Sequence, residues 1–110
     1  MIALRFFYQD KNLVGIESKG HSGYADRGRD IICAAVSVLM QSLLLGLTEI
    51  QQAPKINFSV EKKTPLIKIS WPPEVQASEK FSLLIQTIAE SLKIIAADNP
   101  KHVKIFSEEI

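Results

Sequence analysis

The chain predicts an α+β domain of two layers, a mostly antiparallel sheet with two helices packed against it. Three observations carry this. Apolar residues alternate in four short segments, and they recur at helical spacing in two longer ones. The segments follow in the order ββαββα, with room for a short final strand. Hairpins joined through helices build a layered domain of this kind. The 110 residues fit a single domain over 1–110, without internal repeats, low-complexity tracts or a linker.

Each element has its own justification. Ile2, Leu4, Phe6 and Tyr8 point one way and Ala3, Arg5 and Phe7 the other, which is strand periodicity. Residues 9–12 are turn-like. Residues 13–19 read as a second strand with Val14 and Ile16 on the inner face, completing a hairpin. A loop follows, and Asp30 is a good helix N-cap directly before an apolar run. That helix extends to about residue 51, with Pro54 just beyond. Ile56, Phe58 and Val60 place a strand over residues 55–61, and residues 62–65 turn the chain. Ile67, Ile69 and Trp71 mark the next strand, which Pro72 and Pro73 end. The second helix begins between Glu74 and Ser78. Phe81, Leu84, Ile85, Ile88, Leu92 and Ile95 form its apolar stripe, while Lys80, Glu90 and Lys93 stay in water. Asp98, Asn99 and Pro100 stop it, and residues 102–106 can add the final strand.

Composition narrows the function classes. At 46% hydrophobic and 23% charged residues, the chain folds rather than remaining disordered. A formal net charge of +1 gives no electrostatic case for direct nucleic-acid binding. The lone cysteine can form neither an internal disulfide nor a Cys-rich zinc site, so a reduced, cytoplasmic setting is expected. The histidines are not spaced as metal ligands, and no metal or cofactor is expected. The start, MIALRFFYQD, lacks the features of a signal peptide. Residues 31–47 carry no charge, but the run is shorter than the ~20 residues of a membrane span, and Ser37, Gln41, Ser42 and Gly46 interrupt it. It reads as a helix buried on most sides, away from any membrane. A second subunit could supply part of that cover.

The chemistry concentrates in residues 20–37, GHSGYADRGRDIICAAVS. Cys33 falls in the first turn of the helix that Asp30 caps, where unpaired N–H groups and the helix dipole favour a thiolate. Taken alone, it could equally be a small core residue. His21 ends the preceding strand, and the intervening loop can return it to the helix head, within reach of the thiol as a general base. Asp30 is either a cap or a third member orienting His21; capping needs only local geometry and is the simpler role. A carboxylate there would also oppose a thiolate by like charge. Ser37, one turn after Cys33, could hydrogen-bond the sulfur or, more simply, the carbonyl of residue 33. Gly20, Gly23 and Gly28 either admit a substrate chain or are ordinary flexible-loop residues.

This stretch resembles the signature of the ribosomal-processing cysteine protease family, the Prp proteases of bacteria. Gly20, His21, Gly23, Tyr24, Ala25, Gly28, Asp30, Ile31 and the run from Cys33 to Ser37 match its pattern in order. The resemblance implies a cytoplasmic thiol endopeptidase acting as a homodimer. It implies a Cys33–His21 dyad, a mobile loop over residues 22–29, and a ribosomal protein as substrate. Family members remove the N-terminal extension of large-subunit ribosomal protein L twenty-seven. Two rival readings keep the fold and change the chemistry. One is a non-catalytic ribosome-associated binding module, with Cys33 in the core. The other is a redox-responsive thiol protein in which His21 is dispensable.

Overall fold

The computed structural model describes residues 1–21, 23 and 30–110. Strand β1 (Ile2–Gln9) buries Ile2, Leu4 and Phe6 by simple alternation. It pairs antiparallel with β2 (Asn12–Lys19) through a tight turn at Asp10 and Lys11, both at positive φ. The register shifts between Phe7 and Tyr8, so that Gly15 faces Phe7 while Leu13 faces Tyr8. This bulge corrects the expected inner face of β2. Leu13 and Ile16 enter the core, and Val14 is buried outside it, because one extra residue inverts the alternation.

Two further strands, β3 (Asn57–Glu61) and β4 (Leu66–Ser70), form the second hairpin. The sheet order is β3-β4-β2-β1-β5, antiparallel except where β5 (Val103–Glu109) runs parallel to β1. The final strand is therefore longer than expected and pairs along most of β1. Trp71 lies just past β4, and its indole N–H donates to the Leu13 carbonyl at 2.8 Å, bracing the bulge.

Helix α1 (Ile31–Leu45) continues through a π-helical turn, Gly46–Ile50, closed by the Gln51 N–H on the Gly46 carbonyl at 2.8 Å. The continuous helix has 20 residues and a mean hydropathy of 2.1, enough by length and composition to cross a membrane. The expectation that it falls short of a span is thus corrected. Its inner side, Ile32, Val36, Met40, Leu43 and Leu47, is part of the core beneath the sheet. Its outer side stays exposed at Ile31, Val38 and Leu45.

The expected second helix is two. Helix α2 (Pro73–Ala77) has proline at its first position, where the missing N–H costs nothing. Helix α3 (Glu79–Asp98) starts afresh at Ser78, whose hydroxyl caps the Lys80 N–H. Phe81, Ile85, Ile88, Leu92 and Ala96 seal α3 onto the sheet and α1. At Gly46 the two helices come so close that a Cβ would strike Leu84. On the other face of the sheet, Arg5 pairs with Glu17 and Glu108 and lies over the Phe106 ring, a solvated surface. Both helices therefore lie on one side of the sheet. There α1 contacts β2 and β4, α3 contacts β5, and β3 is left uncovered.

Candidate active site

The site begins with Asp30. Its backbone is extended, and one carboxylate oxygen accepts the N–H groups of Ile32 and Cys33, each at 3.0 Å. Asp30 is only 8% exposed. A buried carboxylate in a helix cap is satisfied by the amides and by the dipole they carry. The structure gives Asp30 the capping role. The cap also fixes the rotation of α1, sending Ile32 and Val36 into the core and leaving Cys33 half-buried beside them.

The cap bears on the chemistry of the helix start. The N–H groups of Ile32 and Cys33 are engaged by the Asp30 carboxylate, and that of Ala34 by the Asp30 carbonyl at 3.1 Å. The expectation that the first-turn N–H groups are unpaired is corrected for these three. Among the described residues, Ile31 keeps the first-turn amide that these bonds do not use.

His21 stands where β2 leaves the sheet. Its position rests on Gly20, which has φ +97 and donates its N–H to the Pro65 carbonyl at 2.9 Å. A Cβ at Gly20 would lie 2.6 Å from the Met1 carbonyl oxygen. The missing side chain at Gly20 therefore makes room for the chain's own N-terminal backbone, and Gly20 also lines the groove described next. Gly23 also has positive φ, at +74, with open space around it. Gly28, and the loop between His21 and Asp30 apart from Gly23, lie outside the described residues.

His21 and Cys33 line one groove of about 340 Å³. Its helix wall is α1, through Cys33, Val36, Ser37 and Gln41. Its opposite wall comes from the β3–β4 hairpin, through Val60, Glu61, Lys62, Pro65, Leu66 and Ile67. Ser37 is half-buried on this wall, but the bond in which its hydroxyl takes part is not one of those expected. The Gln41 amide Nε2 donates to Ser37 Oγ at 2.8 Å, a partner the sequence reading did not name. Gln41 was missed as a site residue from the sequence. Its spacing of eight from Cys33, two helical turns on one face, was the available signal. No group of three His, Cys, Asp or Glu is placed to hold a metal ion among the described residues. His102 lies away from the groove, half-buried between α3 and β5, its carbonyl accepting the Ile2 N–H.

Two substitutions separate support from chemistry. Gly20→Ala puts a Cβ at positive φ against the Met1 carbonyl, and should cost at least about 1 kcal/mol in urea unfolding while displacing His21; unchanged stability would refute the close approach. Asp30→Ala should cost about 1–2 kcal/mol through the lost cap, whereas Asp30→Asn keeps an acceptor oxygen and should cost only a few tenths. Equal losses in the two variants would show that the charge, not the cap, matters.

Comparison with known proteins agrees with this geometry. The family model for cysteine protease Prp matches residues 1–104. A ribosomal processing cysteine protease Prp of Mycoplasma genitalium is 30% identical over 91 residues, covering 83% of this chain and 85% of the relative. Among solved structures, an essential ribosomal processing protease Prp from S. aureus, with a covalently linked product peptide, superposes with a TM-score of 0.84 at 17% identity, over 97% of this chain and 99% of that one. The same protease with a substrate peptide gives 0.80 at 16% identity, with the same coverage. A protein from Streptococcus mutans gives 0.82 at 26% identity, over 100% and 96% of the two chains. With its capped cysteine helix, its two-layer fold and a family match over nearly the whole length, this chain belongs to the Prp family of ribosomal-processing cysteine proteases.

Proposed function

We propose that this chain is the cytoplasmic endopeptidase that removes the N-terminal extension of large-subunit ribosomal protein L twenty-seven, using a Cys33–His21 dyad. The observation that carries the reading is the shared groove. It sets a cysteine in the first turn of a capped helix and a histidine at the end of a strand on one surface long enough for a peptide. His21 takes the proton of Cys33, or holds it in an ion pair, and the sulfur attacks the scissile carbonyl carbon. The carbonyl electron pair moves onto oxygen, and the Ile31 N–H at the helix start is the candidate donor to it. The intermediate collapses, the C–N bond breaks, and His21 protonates the leaving amine. Water, losing its proton to His21, then attacks the thioester. The acid departs and the thiol returns.

A homodimer is part of the reading. The outer face of α1 presents Ile31, Ala34, Ala35, Val38 and Leu45 to solvent without a charged residue. Such a contiguous apolar face on a small protein is a natural isologous interface. Val38→Glu should shift the mass measured by light scattering from dimer to monomer. A dimer that persists unchanged would rule out this face.

The catalytic reading is tested by incubating the purified chain with the host's own ribosomal protein L twenty-seven and locating any cut by mass spectrometry. The native chain should cut one bond near the N-terminus. Cys33→Ala and His21→Ala should each lower the rate by at least about 10³-fold with folding intact. Wild-type rates in Cys33→Ala would exclude the thiol mechanism. No cleavage of an extended substrate, together with slow alkylation of Cys33 by iodoacetamide, would favour the binding module instead.

A further inference from the structure

Helix α1 is almost wholly apolar, yet two of its few polar side chains, Ser37 and Gln41, stand on the groove wall and are bonded to each other. Cys33, Ser37 and Gln41 are spaced by four residues, one above the other on one helix face. Resting on the protease reading above, we infer that Gln41 is a specificity-determining residue that holds the main chain of the bound peptide about four residues from the scissile bond.

The argument is one of matching repeats. Four residues of α-helix rise about 6 Å, so Gln41 stands about 12 Å along the axis from Cys33. Two residues of extended chain span about 6.6 Å, and four about 13 Å. A peptide lying extended along α1 with its reacting carbonyl at Cys33 therefore presents alternate residues to Ser37 and then to Gln41. The facing wall is apolar at Val60, Leu66 and Ile67, with Glu61 and Lys62 as its polar side chains. A main chain buried between such walls loses water from its N–H and C=O groups, which must find partners. Gln41 can supply them. Its Nε2 spends one hydrogen on Ser37, which leaves a second donor and the Oε1 acceptor for a ligand. Because Gln41 itself is exposed, its replacement should leave the fold in place.

The test measures binding, so that it does not depend on turnover. Fluorescein-labelled peptides from the N-terminal region of the host's ribosomal protein L twenty-seven, nested and grown one residue at a time in either direction, are titrated by anisotropy into Cys33→Ala and into Cys33→Ala with Gln41→Leu. In the first protein the affinity should step up roughly fivefold, the value of one well-made hydrogen bond, when the peptide reaches Gln41. Adding Gln41→Leu should reduce that step to less than about twofold. A step that survives Gln41→Leu, or the absence of any step with length, would overturn the inference. A Gln41-dependent step in a chain whose native form cuts nothing would keep Gln41 as a peptide-binding residue, but it would overturn its placing against a scissile bond and sink the protease reading. Failure to bind at every length would sink the inference together with the proposed substrate.

Discussion

The carboxylate of Asp30 is the interaction on which the rest of the site depends. The most apolar helix of the chain follows a polar, charged loop, and something must start it at a definite residue. One buried oxygen holding two amides does so, and the start at Ile31 sets the phase of everything after it. With that phase, Ile32, Val36, Met40 and Leu43 meet the sheet, and Cys33, Ser37 and Gln41 meet the groove. A start one residue later would carry each side chain about 100° around the axis and put the cysteine elsewhere. Core packing and site geometry are thus one decision, made at a single cap.

The groove exists because α1, α3 and the short α2 do not cover five strands. A helix is about 10 Å wide and strands lie about 4.8 Å apart, so each helix shields roughly two strands. Here α1 lies over β2 and β4, and α3 reaches β5. The edge strand β3 is left bare, with Phe58 57% and Val60 52% exposed. Apolar residues on the helix side of an uncovered edge strand are costly to leave in water and useful only when something lies on them. Beside them stands the helix wall carrying Cys33. The incomplete cover leaves an open groove there, the place the proposed function gives to an extended peptide.

How much of this could be read from the sequence depends on the range over which each signal acts. The alternation of β1, the cap at Asp30, the end of α1 near Gln51 and the stop at Asn99 are local, and each was legible. So was the placing of His21 and Cys33 along one groove, because a strand end and the next helix head are only nine residues apart in sequence from His21 to Asp30. The bulge at Val14 was not legible. It answers to the Trp71 indole on the Leu13 carbonyl, 58 residues away in the chain. The break at Ser78 was hidden because α2 and α3 together mimic one amphipathic run. The parallel partnership of β5 with β1 needs the whole chain to have folded first. Gln41 escaped notice because a lone glutamine in an apolar helix looks like an interruption until the helix has a groove beside it.

Asp30 leaves a tension that the proposed mechanism has to resolve. A carboxylate one turn from the sulfur repels a thiolate, and the cap withdraws the Ile32 and Cys33 amides that could otherwise have stabilised developing charge. The carboxylate's own charge is spread over those same two N–H groups, which weakens the repulsion at its source. What remains must be met by a cation, and His21 shares the groove with Cys33. In the proposed mechanism that role falls to His21, which takes or holds the proton of Cys33. Its place is held by Gly20 against the Met1 carbonyl and by the bond to Pro65. The backbone at the N-terminus, the β3–β4 turn and the head of α1 therefore converge on the two residues of the proposed dyad, and Met1 and Pro65, far apart in the chain, support where His21 stands.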